Sequence, residues 1–294
     1  MIKKDVSYPV EAQEALLEFL LDHISRQSRN SVKHLLSRGQ VLVDNRPQTR
    51  FDYKLVPGQI VTVLPQARGA ALPFPVLYED AGLIAVQKPS GLLSVATEAE
   101  RHRTAYRMVT EYLRARDPHA RIFIVHRLDR DTSGVLLFAK NEDLKHQLQD
   151  CWNTLVKKRG YWAVTEGANL PDSGTCRTLL QENRVHRVYS SKRDEGKEAV
   201  TRYRVLARRN EYALADVELE TGRKNQIRAH FSELGHPVAG DKKYGASTDP
   251  MGRLALHAYV LSLTDPRSGK LLTLSSPPPE WFRRMFPGRA WKNA

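Results

Sequence analysis

The feature that most limits the fold of this chain is the order of its strand-like runs. After about residue 75 they outnumber the helical patterns and do not alternate strictly with them. Parallel neighbours in a sheet need a long crossover, usually a helix, between strands, so a doubly wound fold does not fit. We therefore predict an α+β fold, a mixed and largely antiparallel sheet with helices on its faces. The strand-like runs are Val76–Tyr78, Leu83–Val86, Val135–Phe138, Tyr161–Thr165, Thr201–Leu206 and Tyr212–Leu219.

The N-terminal residues carry a different pattern. Apolar residues spaced i, i+3, i+4, i+7 and i+8 predict a first helix over 12–20. A second helix is predicted between Ser28, its N-terminal cap, and Gly39, which ends it. Alternating valines and two turns over 41–63 then predict a short hairpin. The predicted organisation is a small domain at 1–65, a Pro- and Gly-containing linker at 66–75 and a larger domain at 76–294.

The charge of the chain indicates the class of its partner. Lys and Arg total 46 against 33 Asp and Glu, a net charge of +13, and so large an excess favours binding of polyanions. The excess is concentrated in three segments, 26–54, 101–130 and 184–209. We therefore predict a nucleic-acid partner. The candidate contacts to its backbone in the second predicted helix are Arg29, Lys33 and Arg38.

The sequence predicts neither a membrane partner nor a bound cofactor. No uncharged apolar run reaches the roughly 18 residues of a membrane helix, and the N-terminus lacks a signal-peptide core, so a soluble cytoplasmic protein is expected. Cys151 and Cys176 stand outside zinc-ligand spacings and are interpreted as free thiols. No nucleotide-binding glycine motif is present. We therefore expect neither a cofactor nor a metal ion.

The densest polar cluster runs from His126 to Gly134 and leads directly into the apolar run Val135–Ala139. A loop of charged and small residues that feeds a core strand can present a side chain at a cleft. On composition alone, a surface loop with local ion pairs explains the cluster equally well. Asp131, two residues after Asp129, suggests a metal pair, but an ion pair with a neighbouring arginine is the better interpretation.

The order of residues in this cluster resembles the His-Arg-Leu-Asp-x-x-Thr-Ser-Gly signature of the RluA-type pseudouridine synthases. Further motifs of that family follow in the family's order, and together the resemblance spans Val76 to Phe286. The matching segments are Lys88–Leu92, Lys158–Ala163 with Gly167, Leu219–His230, Gly240–Gly245 and Leu256–Ala258.

The first 65 residues are similar to the S4-like RNA-binding domain. The matching features include the Ser28-Arg29 pair, Gly39 and the Pro57-Gly58 turn. Asp44-Asn45 stands where that domain usually has Asn-Gly, so the hairpin turn differs. An unrelated helix-hairpin domain is the alternative.

The resemblance implies that a uridine within RNA is isomerised to pseudouridine, without redox or hydrolysis. The family's catalytic aspartate corresponds to Asp129, which can attack C1′ of the sugar or C6 of the base, or assist elimination through a glycal; the sequence does not choose among them. Arg228 corresponds to the arginine that pairs with this aspartate, for which two parallel hydrogen bonds are expected. Tyr161 corresponds to a tyrosine whose ring stacks on uracil and whose hydroxyl is a candidate base for the C5 proton.

Two further positions follow from the same resemblance. The target uracil must turn out of the RNA into a pocket, and Arg127, beside Asp129, is a candidate either to fill the vacated stack or to hold a phosphate. Asn225 occupies a place where many relatives have histidine, so no imidazole role is carried over there. The histidines interpreted as structural are His126, His230, His236 and His257.

The expected partner is RNA, with large-subunit ribosomal RNA favoured and transfer RNA as the alternative, and the expected oligomeric state is a monomer. A catalytically silent RNA-binding or ribosome-assembly factor is a second hypothesis, but it gives no reason for Asp129, Tyr161 and Arg228 all to be present. An enzyme of free nucleosides is a third, and the charge of +13 argues against it.

Overall fold

The computed structural model describes residues 5–24, 28–37, 39–64, 72–101, 103–183, 187–191 and 195–288. The chain divides into two compact units. One consists of Met1–Ala71 with Tyr112–Pro118, and the other of Leu72–Glu111 with His119–Ala294. Arg38 and residues 66–71 of the predicted linker lie outside the described residues.

The first unit contains two helices and a four-stranded sheet of order β1-β6-β3-β4. Strand β1 pairs antiparallel with β6 and was not predicted. Its elements are β1 (Val6–Pro9), β2 (Glu14–Ala15), α1 (Leu16–His23), α2 (Arg29–Ser37), β3 (Val41–Val43), β4 (Arg46–Pro47), β5 (Lys54–Leu55) and β6 (Ile60–Val63).

The first helix begins four residues later than the prediction from residue 12. Glu14–Ala15 pairs with Lys54–Leu55 as a short strand. The first N–H groups of the helix, at Leu16 and Leu17, then donate to the carbonyl oxygens of Tyr53 and Phe51. Because the first turn of a helix has N–H groups without intrahelical partners, these bonds fix its start.

The second unit contains most of the strands and the remaining helices. Its elements are β7 (Val76–Glu79), β8 (Leu83–Lys88), α3 (Ala105–Arg114, whose last three residues belong to the first unit), β9 (Phe123–Ile124), β10 (Ser133–Ala139), α4 (Glu142–Asp150), α5 (Trp152–Leu155), β11 (Val156–Glu166), β12 (Ser173–Glu182), β13 (Val188–Ser190), β14 (Lys197–Arg209), β15 (Tyr212–Leu219), α6 (Gln226–Glu233), a 3-10 turn (Lys242–Tyr244), β16 (Leu256–Thr264), β17 (Leu271–Ser275) and α7 (Glu280–Met285).

These strands form one large sheet of order β13-β12-β14-β15-β11-β16-β10-β8-β7, with β17 added to β16 and β9 added to β10. Among the described strands, β10 and β16 form the single parallel pair and all other pairings are antiparallel. The predicted α+β fold with a mixed, largely antiparallel sheet is therefore confirmed. In the described part of the chain, no helix is both long and apolar enough to cross a membrane.

Candidate active site

A cavity of about 660 Å³ opens in the second unit and contains four of the predicted site residues, Arg127, Asp129, Tyr161 and Arg228. Its walls come from the loop before β10, from β11, and from the segment between β15 and α6. The remaining lining residues are Ile124, Val125, His126, Leu128, Thr132, Gln149, Trp152, Arg159, Leu219, Gly222, Arg223, Lys224, Asn225, Gln226, Ile227 and Leu256.

The predicted RNA contacts Arg29 and Lys33 lie in the first unit, on α2. The Arg29 guanidinium is paired with the Glu18 carboxylate, and both side chains are exposed. The Lys33 ammonium lies 4.8 Å from the centre of the Phe51 ring, which is itself half exposed. Arg38 is outside the described residues, so its predicted contact with the RNA backbone stays a prediction.

Side chains from the end of β8 and from the segment that follows it hold the main chain of the Asp129 loop on both sides. The Ser94 hydroxyl donates to the Leu128 carbonyl at 2.7 Å and accepts from the Leu128 N–H at 3.1 Å. The buried Lys88 ammonium donates to the Arg130 carbonyl at 2.9 Å, as well as to two carbonyls of its own segment. Asp129 therefore lies between two residues whose carbonyl groups are fixed by buried side chains.

The end of the loop is fixed where β10 enters the sheet. Arg253 can only donate, so the Ser133 hydroxyl accepts from its Nη2 at 2.8 Å. The same hydroxyl lies 2.8 Å from Nδ1 of His257 and is hydrogen-bonded to it. Burial lowers the pKa of His257 to about 3, which agrees with a neutral, structural imidazole. Gly134 follows with a φ of +121°, in close contact with Ala258 of β16.

The pKa of Asp129 reflects opposing effects. Burial has the largest effect and raises the pKa, whereas the positive charges of Arg228, Arg127 and Lys88 lower it, in that order. A hydrogen bond from the backbone N–H of Asn225 also favours the charged carboxylate. The net result is a raised pKa. A carboxylate with a raised pKa is a better base and nucleophile than an exposed one.

Arg228 makes two parallel hydrogen bonds, but to Asp241 and not to Asp129. Its Nε donates to Oδ2 of Asp241 at 2.6 Å and its Nη2 donates to Oδ1 at 2.7 Å. The expected bidentate pair between Arg228 and Asp129 is therefore wrong. Asp241 is 2 % exposed, and a buried carboxylate requires a paired cation. Arg228 acts on Asp129 through its charge.

The start of α6 is held by Gln226, whose side chain is buried and fully hydrogen-bonded. Its Oε1 accepts from the Thr221 hydroxyl at 2.8 Å and from the Arg223 N–H at 3.0 Å, and its Nε2 donates to the Thr201 hydroxyl at 2.9 Å. Because a buried amide without partners is costly, these bonds specify one position for the helix start. Asn225, directly before it, is thereby brought to the Asp129 loop.

Tyr161 lies on β11, where the pairing with β16 changes register between Gly160 and Tyr161. Its neighbour Trp162 is buried in the core of the sheet, stacked on Tyr259 at 4.3 Å, whereas Tyr161 lines the cavity. Burial raises the pKa of Tyr161 to about 12, an effect that Arg159 opposes and Asp129 reinforces. The phenol is therefore protonated at neutral pH.

The interpretation of His126 as a structural histidine agrees with its contacts. Its Nε2 accepts the N–H of Leu137 at 3.1 Å, and its ring stacks on Trp152. Burial, with a smaller contribution from Arg159, lowers its pKa to about 4, so the ring is neutral.

A metal pair at Asp131 finds no support among the described residues, since these hold no cluster of metal-ligating side chains.

Arg159 and Arg223 line the cavity but were not predicted as site residues. The sequence could have indicated both residues, because each lies inside one of the family motifs.

Comparisons with known proteins identify the family of this chain. A family profile described as RNA pseudouridylate synthase matches residues 82–233. The uncharacterized RNA pseudouridine synthase YlyB of Bacillus subtilis is 35% identical over 285 residues, covering 92% of both chains. The ribosomal large subunit pseudouridine synthase D of Nitrosomonas europaea is 36% identical over 219 residues, 71% of this chain and 63% of that protein. The structure of human RNA pseudouridylate synthase domain containing 4 has a TM-score of 0.60 at 25% identity, covering 74% of this chain and 93% of that one.

The large, mostly antiparallel sheet is thus that of an enzyme that acts on RNA uridine. The chain belongs to the RNA pseudouridine synthase family. It is an isomerase, and its reaction breaks a bond between nitrogen and carbon and forms one between two carbons.

Proposed function

We propose that this chain isomerises uridine in large-subunit ribosomal RNA, with Asp129 as its catalytic residue. The observation that carries the assignment is the position of the Asp129 carboxylate, in the cavity and within the influence of three cations and a backbone N–H. The choice of RNA is supported by the name of the Nitrosomonas europaea relative, a ribosomal large subunit pseudouridine synthase, and by the net charge of +13.

Each of the three possible routes of the reaction needs an ionised Asp129. Attack at C1′, attack at C6 and assistance to elimination through a glycal all require an electron pair on the carboxylate. Arg228, Arg127 and Lys88 favour that charged form, while burial raises its basicity. The N1–C1′ bond breaks, the base turns, and a C5–C1′ bond forms. The proton on C5 then passes to the Tyr161 oxygen as that phenol gives its own proton to solvent, and N1 of the base takes up a proton.

Tyr161 stacks on the uracil and lies in the field of Asp129. An aromatic ring offers a flat face to the base at little entropic cost. Its phenol is protonated at neutral pH because its pKa is about 12. Its oxygen can therefore receive the C5 proton only after its own proton has moved on. Arg228 contributes charge, held in place by Asp241.

Arg127 is exposed at the cavity, and we assign to it the space that the target base leaves in the RNA stack. Its guanidinium is planar and stacks on bases. Asp129 in the same loop then receives the base that Arg127 replaces.

The first unit is proposed to be an S4-like RNA-binding domain that acts through α2. Its Val32 and Leu36 are buried in the core of the unit, while Lys33 and Arg29 are exposed. The ion pair between Arg29 and Glu18 is exposed and therefore weak, so a phosphate can replace it. A cytoplasmic, monomeric enzyme fits this assignment.

Tritium release from RNA labelled at uracil C5 tests the proposal. The wild type and the Asp129→Asn and Asp131→Asn variants are incubated with unmodified ribosomal RNA and, separately, with transfer RNA. We expect release from ribosomal RNA by the wild type and by Asp131→Asn, whose side chain does not line the cavity, and none by Asp129→Asn. Release from transfer RNA alone would refute the substrate, and release by Asp129→Asn would refute the catalytic residue.

A further inference from the structure

We propose that Asn225 is the positioning residue for the Asp129 carboxylate, and that it acts through its backbone and its side chain together. This assignment rests on the proposed catalytic role of Asp129. Asn225 lies directly before α6, is 7% exposed and lines the cavity.

The backbone of Asn225 is in the left-handed region, with φ 52° and ψ 21°. Most residues avoid this region, whereas asparagine tolerates it because its short polar side chain bonds locally. Its N–H lies close enough to the Asp129 carboxylate to lower the pKa of that group. The N–H also lies at the start of a helix, where the helix dipole favours a negative charge.

The side chain of Asn225 acts on the counter-charge of the same carboxylate. Its Oδ1 accepts a hydrogen bond from Nη1 of Arg228 at 3.0 Å. The other side of that guanidinium is held by Asp241. Asn225 thus holds the Arg228 guanidinium through its amide oxygen, and its backbone N–H favours the charged form of Asp129.

The two functions of Asn225 can be separated by substitution. Glycine keeps the left-handed backbone and removes the amide oxygen. Aspartate keeps the backbone and the acceptor but adds a negative charge between Arg228 and Asp129. The groups that face Asp129 are Arg228 from α6, Arg127 from its own loop, Lys88 from β8 and Tyr161 from β11.

The chain supplies a matched control in Asn210. It has the same φ of 52° and lies exposed in the turn between β14 and β15. The variants Asn210→Gly and Asn210→Asp therefore make the same chemical changes at the same backbone conformation, outside the cavity.

The test is a carbon-13 NMR titration of the aspartate carboxyl groups in full-length protein. The Asp129 signal is identified by its loss in Asp129→Asn. We expect Asn225→Asp to raise the pKa of Asp129 by about one unit, since a like charge disfavours ionisation, and Asn210→Asp to leave it unchanged. The acid limb of the pH profile of kcat should move upward by the same amount. Asn225→Gly should lower kcat about tenfold with little change in KM, as for one lost hydrogen bond to a charged group, and Asn210→Gly should not.

An Asn225→Asp protein in which Asp129 titrates as in the wild type would overturn the proposal, as would full kcat in Asn225→Gly. The titration needs no RNA. Failure of the proposed function would instead appear as tritium release by Asp129→Asn, and the two results are therefore independent.

Discussion

Gly134 is the position where one added methyl group tests how the sheet holds the Asp129 loop. Its φ is +121°, and it pairs with Lys88 of β8 on one side and Ala258 of β16 on the other. A Cβ atom at residue 134 would lie 2.0 Å from the carbonyl oxygen of Ala258. Ordinary contacts begin at 3.4 Å, so β10 and β16 must separate by the difference, about 1.4 Å.

The expected cost has two parts. A backbone conformation suited only to glycine costs about 1–3 kcal/mol when another residue adopts it. Forcing atoms into a packed core costs about 1–3 kcal/mol more. Their sum, about 2–6 kcal/mol, is a large fraction of the roughly 5–15 kcal/mol that stabilises a folded protein. At about 2–4 °C per kcal/mol, Gly134→Ala should lower Tm by about 4–24 °C.

Urea and thermal unfolding, followed by circular dichroism, measure this loss. Gly269→Ala is the matched control, because Gly269 has a φ of +67° in an exposed turn and an added Cβ would have nothing within 4 Å. It carries the backbone cost alone. Tritium release should fall in Gly134→Ala, since β10 continues directly from the Asp129 loop. A Gly134→Ala protein as stable as Gly269→Ala would refute the steric argument.

Three further predictions concern the cavity. Tyr161→Phe should bind RNA as the wild type does and lose most of kcat; full turnover would exclude the hydroxyl from the reaction. Arg127→Ala should reduce turnover of structured RNA far more than that of a short single strand, and equal losses on both would contradict the stacking role. Burial lowers the pKa of Lys88 to about 7, so between about pH 7 and pH 10 the unfolded chain binds the proton that the folded chain releases, and stability should rise with pH there. Lys88→Met should remove that part of the slope in urea midpoints, and an unchanged slope would count against it.

The sheet could be predicted from the sequence because its strands alternate or form short apolar runs. Strand β16 was not predicted as a strand, although eight of its nine residues are buried. A strand buried on both faces carries no alternation, so periodicity does not reveal it. Helix α6 was missed for a related reason. Its first turn begins with Gln226 and Arg228, polar residues that are buried because they bond to neighbouring strands and to Asp241.

The members of the cavity could be predicted from motifs, whereas their pairing could not. Arg228 and Asp241 are thirteen residues apart and belong to different motifs, so nothing in the sequence linked them. The register change beside Tyr161 is likewise a property of the assembled sheet. Sequence patterns specify which residue types are present, while hydrogen-bond partners depend on the distances that the fold creates.

The cations near Asp129 differ in how firmly they are held. This difference suits a synthase that must keep Asp129 ionised and also receive the target uracil. Lys88 is bonded to three carbonyl oxygens, and Arg228 is held by Asp241 and Asn225. Neither can follow an RNA phosphate without leaving buried partners unpaired, which is costly. Arg127 is exposed and can move with the RNA. Arg228, and Lys88 below its pKa of about 7, therefore favour the charged form of Asp129 before RNA arrives. The exposed Arg127 responds to the substrate.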